Sequence, residues 1–349
     1  MPSSRPRGSS APEDVGRASA RPGRAPVRPR RAEARPRRAE ARLYIPTDTN
    51  EVILKFGARE VRLTNLRKPF WKKLGITKRD LLQYYADVSP WLLPHLHDRA
   101  MVMKRYPNGA EGDFFYMKRA PEPRPEWIEI CDIDHGSAGR INFPIVQDLP
   151  SLLWLINLGC IDLNPWYARC DDTDRPDFLH FDLDPGPGAS FAKVREVALR
   201  TRDILAALKM PTYPKTTGSK GIHVYIPIKR APAQKEVWAF AKAIAIELEK
   251  RHPKIITAEY MKAKRPHGRV LVDYNQNAWG RTLASIYSVR PTPFAGASVP
   301  VTWEEIEAGV DITDFRIDNA VERLNEVGDL WKPVLAKTKR VDLYKVFRK

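Results

Sequence analysis

The stretch PDFLHFDLDPGPG, residues 176–188, decides how this 349-residue chain is read. Its apolar residues alternate with polar ones, which is the period of a strand. Leu179, Phe181 and Leu183 share one face, and His180, Asp182 and Asp184 share the other. The apolar face belongs to a core, so both carboxylates project from a rigid sheet into the same space. Pro185 ends the ladder beside a Gly/Pro loop. Two anions this close repel by ~1 kcal/mol in water and by several at a protein-like dielectric. Such a pair shares a proton, pairs with arginine or holds a divalent cation, and hard oxygen ligands favour Mg²⁺ or Mn²⁺. A salt-bridged structural pair is the ordinary alternative.

Three further stretches decide between these options. In KTTGSKGIHVYIPI (215–228) a Gly/Ser turn leads into a strand. Gly218 and Gly221 free the backbone to approach a ligand. Backbone N–H groups, the Ser219 hydroxyl and the Lys220 ammonium suit a triphosphate, and His223 opens the next strand as a further donor. The Walker A pattern G-x-x-x-x-G-K-[ST] is absent. In RVLVDYNQN (269–277) another acid, Asp273, ends an apolar strand, and a third carboxylate is what a two-metal phosphoryl or nucleotidyl transfer site needs. In ASIYSVRPTP (284–293), read as a strand, Ser288 and Arg290 share a face, and the arginine is a natural phosphate clamp. Each stretch alone has a bland reading as a turn or a surface ion pair. Together they suit a metal-bound nucleoside triphosphate.

Elements around these stretches give a mixed α+β fold. EVILKFG and REVRLTN form a hairpin around Gly57-Ala58. TKRDLLQYYADV starts with a capping Thr77 and Asp80 three residues later, with Leu81, Tyr84, Tyr85 and Val88 on one helical face. Residues 190–209 and 236–250 are the clearest helices, and short helices close the chain after residue 302.

Composition narrows the partners. Hydrophobic residues make up 43% of the chain, enough for a sizeable core, and the net charge is +17. Residues 1–42 read as a disordered basic arm of Arg, Pro and Ala, and residues 43–349 as one catalytic domain. The arm holds twelve Arg and four acids, net +8, which leaves 17 − 8 = +9 on the rest. A basic folded part points to nucleic acid ahead of a membrane surface. Cys131, Cys160 and Cys170 are odd in number and lack C-x-x-C spacing, so neither a disulfide framework nor a zinc site is expected. No apolar run approaches the ~18 residues of a membrane span, and no apolar leader segment is visible. A cytoplasmic protein in a reducing compartment is expected.

Taken in order, FDLDPG, GSKGIHVYIP, VDYNQN and YSVRPTP resemble the archaeo-eukaryotic primase superfamily. Within it the chain is most similar to the polymerase domain of bacterial ligase D and its stand-alone relatives, from about Glu60 to Trp331. The resemblance implies a primase-polymerase fold: a central mixed sheet flanked by helices. It implies that Asp182 and Asp184 hold two Mn²⁺ or Mg²⁺ ions and that Asp273 completes the catalytic one. Ser219, Lys220, His223 and Arg290 would grip the incoming triphosphate. MVMKRYPNG (101–109) and DFFYMK (113–118) match a further family segment. There Lys104 would lie near nucleotide or template, and Phe114 and Phe115 would stack on bases. TNLRKPFWKKLGITK (64–78) matches the region that recognises a downstream 5′-phosphate, with Lys68 and Lys78 as its cations. Asn164 stands where family members often carry His, and NLRK replaces the common N-P-D-K. No K-x-D-G ligase motif follows. The implied activity is short gap filling on DNA with an NTP or dNTP, in end joining with Ku and a separate ligase, or in excision repair. A noncatalytic DNA-binding protein and a metal-dependent phosphoesterase are the alternatives.

Overall fold

The computed structural model describes residues 42–136 and 139–347. The arm expected over residues 1–42 therefore lies outside the described residues, apart from Arg42. Strands β1 (Glu51–Phe56) and β2 (Arg59–Thr64) form the expected hairpin. The short pair β3 (Pro69–Trp71) and β4 (Ile76–Thr77) leads into helix α1 (Lys78–Leu96). Thr77 caps α1 as expected: its hydroxyl accepts the Asp80 N–H, and the Asp80 carboxylate accepts the Thr77 N–H. The helix continues past Val88 through Pro90 and Pro94. Each proline forfeits a backbone bond, but this last stretch buries Leu92, His95 and Leu96 against the core.

Next come β5 (Met101–Arg105), β6 (Phe115–Met117), the hairpin β7 (Ile130–Asp134) and β8 (Arg140–Pro144), α2 (Leu149–Asn157) and β9 (Cys160–Pro165). β5 lies between β6 and β9 in an antiparallel three-stranded sheet. The pair β10 (Ala168–Arg169) and β11 (Asp172–Pro176) then delivers the chain to β12 (Phe178–Pro185), the stretch that opened the sequence reading. Helix α3 (Phe191–Ala207), capped by Ser190, returns it to β13 (Tyr213–Thr216) and β14 (Ile222–Pro227). Helix α4 (Gln234–Arg251) precedes β15 (Ile256–Thr257) and β16 (Val270–Asp273). The chain closes with α5 (Trp303–Ala308), α6 (Ala320–Val327), α7 (Lys332–Leu335) and α8 (Leu343–Phe347).

The central sheet has the order β13-β14-β12-β16-β15. It is mixed, because β12 runs antiparallel to both neighbours and β15 runs parallel to β16. Helices α3 and α4 pack against it. The apolar face of β12 is fully buried, as the alternation predicts. Its polar face is more enclosed than expected: His180 is buried between the rings of Tyr167 and Tyr225, with centroids 4.2 and 5.1 Å away.

Two sequence expectations are corrected. Residues 284–293 do not form a strand, and Val289 makes only an isolated bridge to Ala297. Tyr287 adopts a left-handed φ of 55°, and Pro291 and Pro293 have no N–H to give a ladder. The backbone bonds go elsewhere, the Val289 N–H to the Tyr85 hydroxyl and the Arg290 N–H to the Gly296 carbonyl. Second, Cys131 of β7 and Cys170 of the β10–β11 turn form a disulfide, with Cα atoms 5.7 Å apart and a sequence separation of 39. Their spacing carries no signal, because the fold alone brings β7 and that turn together beside Trp166. Cys160 is free and buried.

Candidate active site

The register of the central sheet creates one row of titratable side chains. Asp182 of β12 lies directly opposite His223 of β14 on one side and Asp273 of β16 on the other. His223 in turn faces Lys215 of β13. Directly opposed residues project from the same side of a sheet, so Lys215, His223, Asp182 and Asp273 share one face. Asp184 joins them two residues along β12. A pair of neighbouring acids and a third from a distant part of the chain thus converge.

Their electrostatics record the crowding. Burial pushes the Asp182 carboxyl up to about 7, and Asp273 adds to the rise. Asp184 is likewise pushed up to about 7, by burial and then by Asp182. Asp273 is raised by burial, with Asp184 adding to it, although the Gln276 amide and the Asn275 N–H donate to it at 3.0 and 2.9 Å. The only cation paired with these acids among the described residues is Lys220, 3.7 Å from Asp184. His223 Nε2 lies 3.1 Å from Asp182 Oδ1 but out of hydrogen-bond alignment, so that buried oxygen has no donor. Burial, with Lys215 and Arg290 adding to it, holds the imidazole well below its usual range, hence neutral. Lys215 is fully buried, and its ammonium donates to the Ala284 carbonyl at 2.9 Å and the Ser298 hydroxyl at 2.6 Å. An orphaned carboxylate oxygen among three converging acids fits a hard divalent cation. Among the described residues no three ligating side chains are already closed around one point.

The turn beside this row is built by Thr217, which the sequence reading missed. Its hydroxyl accepts the N–H groups of Ser219, Lys220 and Gly221 at 3.2, 3.2 and 3.0 Å. Ser219 is half-buried and Lys220 exposed. Gly218 has φ +67°, and a Cβ there would lie 2.6 Å from the Ala297 carbonyl carbon. Arg290 reaches the turn, donating to the Thr217 carbonyl at 3.0 Å. Its Nε also lies 3.1 Å from Asp162, a second residue the reading missed. The signal for Asp162 was present, an acid inside the apolar strand CIDLNP. Asn164 turns inward and donates to the Asp162 carbonyl.

Lys104 stands 4.1 Å over the Phe114 ring and 3.9 Å from the Asp162 carboxylate. Phe114 and Phe115 are exposed, as stacking platforms require, and Tyr116 beside them is more so at 62%. Lys68 and Lys78 differ from a solvated basic face. Lys78 is buried, donates to the Thr64 carbonyl at 2.7 Å, and is pushed down to about 8 by burial and by the charges of Lys68 and Arg105. Among the described residues no carboxylate pairs with either lysine, and Lys68 reaches only Asn108 at 3.4 Å. A cavity of 530 Å³ between Pro90, Pro94, His97 and Leu335 contains none of these residues. Convergence of charged groups, rather than volume, marks the site.

With this arrangement in view, comparison defines the class. The fold matches the polymerase domain of Mycobacterium tuberculosis ligase D, solved in complex with DNA, with a TM-score of 0.73 at 30% identity. The match covers 79% of this chain and 98% of that one. Residues 77–331 match the family model described as LigD, primase-polymerase domain, and the chain belongs to that family. The multifunctional non-homologous end joining protein LigD of Mycolicibacterium smegmatis is 32% identical over 82% of this chain. The bifunctional non-homologous end joining protein LigD of Bacillus subtilis is 30% identical over 77%. The chain spans only 38% and 43% of the lengths of these two relatives. Among the described residues no helix is long and apolar enough to cross a membrane.

Proposed function

We propose that the chain is a repair polymerase that transfers a nucleotide from an NTP or dNTP to a primer 3′-OH and releases pyrophosphate. The observation that carries this reading is the sheet register that sets Asp182 opposite Asp273, with Asp184 on the same face. Asp182, Asp184 and Asp273 would hold two Mn²⁺ or Mg²⁺ ions. When bound, the ions lower the pKa of the attacking hydroxyl and neutralise triphosphate charge. The protein's own work is positioning and electrostatics. Ser219, Lys220 and the backbone of their turn cradle the triphosphate, and Arg290, pinned to that turn, clamps it. His223 is neutral and donates one hydrogen bond without adding charge. Phe114 and Phe115 stack on bases beside Lys104. Lys78, a buried cation without a carboxylate, binds a downstream 5′-phosphate together with Lys68.

The names of the relatives favour double-strand break end joining over excision repair as the setting. Ku, a separate ligase and gapped or overhanging ends with a 5′-phosphate are the partners this reading requires. Primer extension by wild type and Asp182→Ala, with Mn²⁺ or Mg²⁺ and either sugar, tests it. The expected result is elongation by wild type and none by the variant. Elongation retained by Asp182→Ala overturns the reading. DNA binding without elongation by wild type identifies a scaffold, and hydrolysis without elongation a phosphoesterase.

A further inference from the structure

Asp162 has no role in the reading above, and its surroundings assign one. It lies on β9 directly opposite Lys104 of β5. It is fully buried, and only one of its oxygens is used: Oδ2 is 3.1 Å from Arg290 Nε and 3.9 Å from Lys104 Nζ. Oδ1 is buried and has no partner. Asp177, the other fully buried acid with basic neighbours, is arranged differently. Arg99 donates to both its oxygens at 2.7 and 2.8 Å, and Arg169 and Arg340 approach at 3.3 and 3.8 Å. That carboxylate is spent on closing a structural junction. Asp162 instead has two cations sharing one oxygen while its other oxygen stays without a partner.

The two cations meet at Asp162 but touch different parts of the site. Arg290 holds the Thr217 carbonyl at the base of the Ser219–Lys220 turn, and Lys104 stands over the Phe114 step. We propose that Asp162 is a positioning residue that fixes Arg290 and Lys104 at a set separation for an incoming nucleoside triphosphate. The proposal rests on the reading of this site as a nucleotide site. Asp162 touches no substrate itself and acts through the two cations. A carboxylate serving only as a counter-charge would oppose a triphosphate, so its neutralisation would tighten binding. A carboxylate that sets geometry does the reverse.

The test is calorimetric titration of a nucleoside triphosphate with Mn²⁺ into wild type, Asp162→Asn, Asp162→Glu, Arg290→Ala and the Asp162→Asn/Arg290→Ala double variant. Loss of one charge-assisted bond predicts about tenfold weaker binding for Asp162→Asn. Asp162→Glu is expected to restore most of that loss, and the double variant to lose less than the product of the two single losses, because only the link to Lys104 then remains for Asp162 to lose. Unchanged or tighter binding by Asp162→Asn overturns the proposal, as do losses that multiply in the double variant. Absence of nucleotide binding by wild type also overturns it. If thermal melting shows Asp162→Asn unfolded, Lys104→Met and Arg290→Ala decide. Losses smaller together than their product support the coupling, and fully multiplicative losses overturn it. Binding is read without elongation, so wild type that binds nucleotide but never extends a primer defeats the polymerase reading and leaves this one standing.

Discussion

Asp182 has a neutral imidazole on one side and another carboxylate on the other, and it is buried with both. Like charges in a low-dielectric site cannot all ionise without compensation, so these acids are held high and poised for a cation. The D-x-D pair was legible because strand alternation puts residues two apart on one face. Thr217 was not legible, because KTTGS offers three hydroxyls and only the folded turn selects one. Lys78 gives the residue-scale prediction. Its folded pKa, about 8, lies below its ordinary 10.5. Below about pH 8 the charge is fully present at its burial cost, and as pH rises toward the unfolded value the unfolded chain binds more protons, so stability rises. The same deprotonation removes the charge that a 5′-phosphate needs. Preference for phosphorylated over unphosphorylated ends, followed by fluorescence anisotropy, is expected to be greatest below about pH 8 and to fade above it. In Lys78→Met the preference is lost at all pH values. A wild-type preference that ignores pH across this range would show that Lys78 does not meet the phosphate.

Elements were legible where local chemistry ends them. The Thr77 and Ser190 caps and the Gly57 turn mark boundaries in the sequence itself. The order β14-β12-β16 was not legible, because pairing between strands some 40 and 90 residues apart leaves no local trace. Nor was the irregular path of residues 284–293, whose backbone is satisfied by side chains and distant carbonyls. The 217–221 turn allows a test of how rigid that meeting of elements is. Gly218 and Gly57 have similar left-handed φ values, +67° and +62°, but a Cβ on Gly57 meets nothing within 4 Å. Gly57→Ala should therefore carry only backbone strain, about 1 kcal/mol. Gly218→Ala adds a collision with the Ala297 main chain and should cost roughly 2–4 kcal/mol. It should also weaken nucleotide binding, since the turn must shift. Urea denaturation of the two variants measures the difference, and equal losses would show that the turn yields freely.

At the scale of the molecule, two apolar clusters of unequal size support these elements among the described residues. The larger runs from Ile45 to Leu343 and includes the central sheet, α1, α3 and α4. The smaller lies under the β7–β8 hairpin and consists of Ala100, Val102, Cys131, Ile133, Phe143, Ile145 and Trp166. A cluster of seven side chains buries little area, so its hairpin depends more on other ties. One is the packing of His135 against Trp279, with ring centroids 4.9 Å apart. The other is covalent, the Cys131–Cys170 disulfide that closes a span of 39 residues. A loop of that length contributes about 2–4 kcal/mol by restricting the unfolded chain. The Cys131→Ala/Cys170→Ala variant should lose about that much in urea denaturation. Local opening follows the weaker cluster, so hydrogen exchange should accelerate most at β7 and β8 and least at β12, β14 and β16. Nucleotide affinity should change little, because no residue of the acid row lies in the smaller cluster. Equal acceleration in the central sheet would show that the hairpin and the sheet open as one unit, and that the acid row depends on the disulfide.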